Sequence, residues 1–179
     1  MELPVIKFII ESEHLLLHDE HIVRVNSGDV IIADKHKYLI SCPLGSCIAI
    51  AFFSPQDNFQ AMAHVMLPGR KSGISTLHEF FYAETAMEYI FRKSEKAGVS
   101  RNRLEVCLAG GANVLKRKNE TIHKLLSDNV LHILSENKIK IRKSSLGGEN
   151  RRILYYNIPK SSLYLKEGEN EKVLFYKYN

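Results

Sequence analysis

An α+β domain, or a layered α/β one, follows from three features of the chain. Short β-branched and aromatic segments are spread along its length, two segments carry apolar residues at helical period, and the last forty residues alternate apolar with polar. At 179 residues, 45% hydrophobic and 25% charged, the chain has room for one domain with a sizeable core and lacks the compositional marks of disorder. LPVIKFII at 3–10 and IVRV at 22–25 have strand composition, with the acidic ESEHLLLHDEH between them a loop or short helical turn. DVIIAD and KYLIS read as strands joined by a polar turn, and CIAIAFF as a strand buried on both faces. After the turn residues SPQDN, FQAMAHVMLP is a strand that Pro68 must end, because proline has no N–H to give a ladder; His64 therefore lies inside a strand.

A helix is expected over 76–97, where Leu77, Phe80, Phe81, Met87, Ile90 and Phe91 recur with helical period and Gly98 supplies the stop. LEVCLAG at 104–110 is a buried strand that leaves through a Gly-Gly turn. Asn119 is a candidate cap for a second helix, whose Ile122, Leu125, Leu126, Val130, Ile133 and Leu134 form one stripe. KIKIRKS, ILYYNI, SLYLKE and KVLFYKY, separated by LGGENRR, PKSS and GENE, read as antiparallel strands with tight connections.

Composition narrows the classes of function. The longest apolar run, Cys47 to Phe53, falls far short of the roughly 20 residues of a spanning helix. The opening MELPVIKFIIESEH lacks a basic segment and a small-residue cleavage site, so a cytoplasmic protein without membrane insertion is expected. In that compartment Cys42, Cys47 and Cys107 are thiols rather than a disulfide framework. The net charge of +5 favours acidic partners, yet the basic clusters Lys116-Arg117-Lys118, Lys138 to Lys143 and Arg151-Arg152 come without an RNA-binding motif or zinc-finger spacing, so nucleic acid is not expected. Cys42, Cys47 and His64 lack the fourth ligand and close spacing of a zinc site; no metal and no cofactor are expected. AGGAN at 109–113 has two of the three glycines of a dinucleotide fingerprint and is explained by a strand-exit turn. No arginine follows Cys47 closely enough for a phosphatase loop.

The chemistry-bearing stretch is SCPLGSCIAI at 41–50. A nucleophilic cysteine needs its thiolate made available by a base, a positive charge or an array of amides. Gly45 and Ser46, small residues before Cys47, let the backbone turn N–H groups toward an incoming carbonyl, an oxyanion-holding arrangement. His64 is carried back toward Cys47 by a strand, a turn and a strand, and Ser41 has a hydroxyl able to bond an imidazole nitrogen. From the residues alone, packing roles for Cys47, His64 and Ser41 stay open.

LGSCIAI, AHVMLP with seventeen positions from cysteine to histidine, YAETAM, LAGGAN, DNV, and LGG followed by Arg152 and Tyr156-Asn157 resemble, in order, the chemoreceptor glutamine deamidase family, CheD. The resemblance runs from about Gly28 to Leu165, so residues 28–179 are expected to form the family domain and 1–27 an N-terminal extension of unassigned role. It implies a cysteine-dependent protein-glutamine glutaminase with Cys47 as nucleophile, His64 as its base and Ser41 where the family usually has threonine. The substrates it implies are glutamine side chains on the cytoplasmic helices of methyl-accepting chemotaxis receptors. It further implies a layered α/β/β sandwich of mixed sheets with two long helices on an outer face, similar to the cysteine deamidase toxins. Gly45, Ser46, Gly147, Gly148 and Arg152 are expected near substrate, and Asn129 and Thr85 match family positions. A CheC-type phosphatase is a possible partner, and a module that docks to such a phosphatase without catalysis is the alternative reading. Cys42 is read as packing, since neighbouring strand residues point to opposite faces.

Overall fold

The computed structural model describes residues 21–71, 78–119 and 121–179, and the strand expected at 3–10 lies outside them. Ten strands and two helices follow in the order β1 (Ile22–Val25), β2 (Val30–Ala33), β3 (Tyr38–Ser41), β4 (Ile48–Ser54), β5 (Phe59–Val65), α1 (Ala83–Lys96), β6 (Glu105–Gly110), α2 (Ile122–Glu136), β7 (Lys140–Leu146), β8 (Arg152–Asn157), β9 (Ser162–Glu167) and β10 (Val173–Lys177). The fold is α+β. Its strands form two mixed five-stranded sheets, a central one ordered β2-β5-β4-β6-β7 and an outer one ordered β1-β3-β8-β9-β10.

β4 shows why the layers form. Every residue of IAIAFFS is buried, and the two faces of the strand go to different partners. Ile48, Ile50 and Phe52 pack with Met87, Ile90 and Phe91 of α1 and Leu126, Val130 and Leu134 of α2. Ala49, Ala51 and Phe53 pack with Leu39, Leu154, Tyr156 and Leu163 of the outer sheet. Two-residue periodicity thus sends Ile48, Ile50 and Phe52 toward the helices and Ala49, Ala51 and Phe53 toward the other sheet. The helices cover one face of the central sheet and the outer sheet covers the other.

β2 and β3, consecutive in sequence, belong to different sheets: β2 pairs antiparallel with β5, and β3 lies between β1 and β8. β1 runs parallel to β3, with Val25 beside Ser41, so residues 22–25, which precede the stretch resembling the family, form an edge strand of the outer sheet.

Three expectations are corrected. α1 begins at Ala83, not at 76, and residues 76–77 lie outside those described. Glu79–Phe81 form a 3-10 turn instead, because the Phe81 carbonyl accepts from the N–H of Met66 and Leu67 at 2.9 Å each and Ala83 N–H donates to Leu67 at 2.9 Å. Backbone groups that pair with the end of β5 are not free to extend a helix. The far end is as expected: Gly98, at φ +79°, and Val99 return N–H groups to Glu95 and Ser94, closing the last turn.

At α2 it is Thr121, not Asn119, that occupies the N-cap position, and it makes no side-chain bond to the helix. Leu125 also leaves the expected stripe, at 53% exposed, while Leu126, Val130 and Leu134 are fully buried beside His123. The buried arc repeats at 123, 126, 130 and 134 and is narrower than the apolar residues alone imply. Leu126→Ala is accordingly expected to cost about 2–5 kcal/mol in urea denaturation and Leu125→Ala no more than about 0.5 kcal/mol.

The third correction concerns β7, expected as one of four antiparallel strands. It runs parallel to β6 at the edge of the central sheet. The intervening α2 carries the chain back along the sheet, and a strand entered after such a crossover runs parallel to the one before it. The other three, β8, β9 and β10, are antiparallel as expected. Among the described residues no helix is long and apolar enough to cross a membrane.

Candidate active site

His64 stands opposite Ala49 in the β4–β5 ladder and so shares the face of the central sheet that looks toward the outer sheet. Its backbone is bracketed by the loop after β1: Gly28 N–H donates to the His64 carbonyl at 2.8 Å, and His64 N–H donates to the Asp29 carbonyl at 3.0 Å. The ring is buried, with Nδ1 3.2 Å from the Val25 carbonyl and Nε2 3.5 Å from Ser27 Oγ. A carbonyl oxygen only accepts, so Nδ1 carries the proton and Nε2 presents its lone pair. Burial pulls the imidazole below its ordinary value, more than the Val25 carbonyl and Asp29 raise it, which keeps the ring neutral near pH 7.

Cys47 lies immediately before β4, two residues from Ala49 and on the same face, half-buried against the inter-sheet cluster. Thiol and imidazole therefore occupy one side of one sheet, offset by one step of the pleat, and no hydrogen bond joins them among the described residues. Burial pushes the Cys47 thiol up; its own backbone N–H and the Ser46 hydroxyl pull the other way. The resting pair is thus a neutral thiol beside a neutral imidazole.

The turn before Cys47 is held from behind. Gly111 N–H donates to the Cys47 carbonyl and Ala112 N–H to the Gly45 carbonyl, both at 2.8 Å. Among the described residues, the N–H groups of Gly45 and Ser46 have no backbone acceptor. With the carbonyls committed to one side, these amides are available to a developing negative charge on the other. Gly110 makes this approach possible: at φ +123° it sits so close that a Cβ there would overlap the Cys47 carbonyl oxygen.

Ser41, buried on β3, lies beside Val25 in register, and its hydroxyl accepts from Leu154 N–H at 2.9 Å. Val25, one strand over, supplies the bond to Nδ1. Gly147 and Gly148 form the turn after β7; Gly147 N–H donates to the Gly110 carbonyl at 3.0 Å and the Gly148 carbonyl accepts from Asn113 at 2.9 Å. Arg152 is buried, with its guanidinium turned inward to Ser145, Gly147, Asn150 and Glu167. Asn129 and Thr85 pin the loop that follows the histidine strand, accepting from Gly69 N–H at 2.9 Å and Lys71 N–H at 3.2 Å. Cys42 donates its thiol to Asn26 at 3.1 Å, and Cys107 is sealed between the sheets, its thiol pushed up to about 12 by burial. Among the described residues no three His, Cys, Asp or Glu side chains are grouped to hold a metal.

Val25 and Ser27 escaped the sequence reading. A backbone carbonyl leaves no signature in residue type, and only the parallel pairing of β1 with β3 brings it to the ring.

A reachable thiol, a neutral imidazole with one nitrogen tied to a carbonyl, and a turn of free amides form the type of constellation used in thiol-dependent acyl transfer. The chain belongs to the CheD family: the model described as CheD chemotactic sensory transduction matches residues 66–167. It is 32% identical over 158 residues, covering 88% of this chain and 78% of the relative, to a probable chemoreceptor glutamine deamidase CheD of Chlorobium luteolum. It is 31% identical over 143 residues to the chemoreceptor glutamine deamidase CheD of Thermotoga maritima, covering 80% and 90% of the two chains. A probable chemoreceptor glutamine deamidase CheD of Archaeoglobus fulgidus is 32% identical over 137 residues, covering 75% and 85%.

Proposed function

We propose that this chain hydrolyses glutamine side-chain amides on methyl-accepting chemotaxis receptors to glutamate, through a thioester on Cys47, with release of ammonia. Family membership supports the reaction. The observation that carries the site is the buried imidazole, tied through Nδ1 to the Val25 carbonyl and standing opposite Ala49, on the face of the central sheet that Cys47 shares.

His64 Nε2 takes the thiol proton as sulfur attacks the amide carbon. The amide oxygen becomes an oxyanion facing the N–H groups around Gly45 to Cys47. The C–N bond breaks, and the imidazolium returns its proton to the departing nitrogen. The neutral imidazole then takes a proton from water, whose oxygen attacks the thioester; the thiol is regenerated and glutamate leaves. Ser41 acts at one remove, holding β8 against the β3 strand that supports Val25. No metal or cofactor enters the reaction.

A layering similar to that of the cysteine deamidase toxins belongs to the same reading, and the three free cysteines suit a cytoplasmic setting, where the receptor helices lie. A CheC-type phosphatase is a second partner under the same reading.

The test is mass spectrometry of receptor cytoplasmic fragments incubated with the protein: an amide-to-acid mass change at specific glutamines is expected, and its absence across receptors of the same organism overturns the reading. The pH profile has a predicted sign. A base whose value is lowered by burial stays neutral below the ordinary histidine value of about 6.5, so kcat/KM is expected to hold through pH 6.5 and fall only at lower pH. An acid limb above 7 contradicts the assignment of His64.

A further inference from the structure

Arg152 is the only cation in the neighbourhood of the Cys47 turn whose side chain is fully turned into the protein among the described residues, at 5% exposed. Its main chain and its side chain grip the turn from two directions. Through the backbone, Leu44 N–H donates to the Arg152 carbonyl at 2.7 Å and Arg152 N–H returns the bond at 3.0 Å, which fixes the residue just before Gly45. Through the guanidinium, Nη1 donates to the carbonyls of Gly147 at 2.7 Å and Asn150 at 3.3 Å, Nε to Ser145 Oγ at 2.8 Å, and Nη2 to Glu167 Oε1 at 2.8 Å.

The loop so gripped is the one that reaches the catalytic turn. Gly147 N–H holds the Gly110 carbonyl, the Gly148 carbonyl holds Asn113, and the segment between, Gly111 and Ala112, donates to the carbonyls of Cys47 and Gly45. A continuous run of hydrogen bonds thus links the guanidinium to the two carbonyls that decide where the amides of the turn point. Four bonds from a planar fork cannot be copied by an ammonium, which is a compact point charge.

We propose that Arg152 is a positioning residue for the Cys47 turn: clamped by Glu167, it locks the Gly147–Gly148 loop in the shape that keys Gly110–Ala112 behind the turn and aims its amides at the sulfur side. Expected near substrate from the sequence, Arg152 here acts from behind the site and has no free face to offer a receptor helix. The proposal deepens the deamidase reading and rests on it for its turnover readout.

The test uses the full chain in a Cys42→Ser background, so that alkylation by iodoacetamide reports Cys47. Arg152→Lys is expected to lower kcat on the receptor fragment about 10- to 100-fold with KM within about two-fold, as for displaced catalytic geometry. It is also expected to raise the pH midpoint of Cys47 alkylation, because the amides that favour the thiolate lose their aim. Glu167→Gln, at a partly exposed position, is expected to move both readouts in the same direction by less and covers the case of an Arg152→Lys chain that fails to fold. A higher KM with kcat and alkylation unchanged makes Arg152 a substrate contact and overturns the proposal. A lower melting temperature with both readouts unchanged leaves Arg152 structural only and equally overturns it. Alkylation needs no substrate, so a wild type that fails to deamidate while the alkylation midpoint still shifts refutes the deamidase reading and not the positioning role.

Discussion

Cys47→Ala is expected to lower deamidation of receptor glutamines by at least about 10⁴-fold, the scale of removing a nucleophile whose partners act only through it. In the proposed reaction the thiol is the atom that bonds the amide carbon, and neither His64 nor the amides of the turn can substitute for it. Water activated by His64 is the remaining route, and it would have to attack an unactivated amide instead of a thioester. Stability is expected to change little, by about 1 kcal/mol, since the half-buried sulfur is only one edge of the inter-sheet cluster. Mass spectrometry of the fragment and a urea midpoint on the same preparation separate the two effects. Persistence of the amide-to-acid change in the variant refutes the nucleophile, and a receptor fragment still captured by the inactive variant shows that recognition and chemistry are separate properties of this surface.

Gly110→Ala is the substitution with the largest expected cost to the fold. The residue sits at φ +123°, where an L side chain is strained, and the added methyl would occupy the place of the Cys47 carbonyl oxygen. Neither group has room to yield: Gly110 is the last residue of β6, paired with Ile48 on one side and Leu146 on the other. A loss of about 3–5 kcal/mol is expected in urea denaturation, together with loss of activity in whatever fraction stays folded, because the Cys47 carbonyl must move. Gly98→Ala is the control. It has a similar positive φ, +79°, with no atom within 4 Å of the added Cβ, and is expected to cost about 1 kcal/mol with activity retained. Equal costs at the two positions rule out the close approach behind Cys47 as the source of the effect.

Most strands were legible because each had a local cause: β-branched content in IVRV, a continuous apolar run in CIAIAFF, alternation in SLYLKE. The helix ends were less legible. The start of α1 was misplaced by a pattern that is apolar for a different reason, since Phe80 and Phe81 belong to a 3-10 turn bonded to the end of β5. Leu125 was misassigned because an apolar residue beside a stripe looks like part of it until the facing sheet says how wide the contact is. At the site, Cys47 and His64 stood out as reactive side chains at a characteristic spacing, while Val25 is visible only as a carbonyl in space and Arg152 only as a hub of bonds to four residues.

What the sequence determined by itself was where most strands and the bodies of the two helices lie, and which two side chains, Cys47 and His64, are the candidates for chemistry, because these depend on residues a few positions apart. The tertiary structure alone decided that β2 and β3 part into different sheets, that β7 returns parallel, which carbonyl fixes the imidazole, and that Arg152 faces inward. Those outcomes are settled by backbone hydrogen bonds and close contacts between segments far apart in the chain, and a backbone group is the same in every residue that bears it.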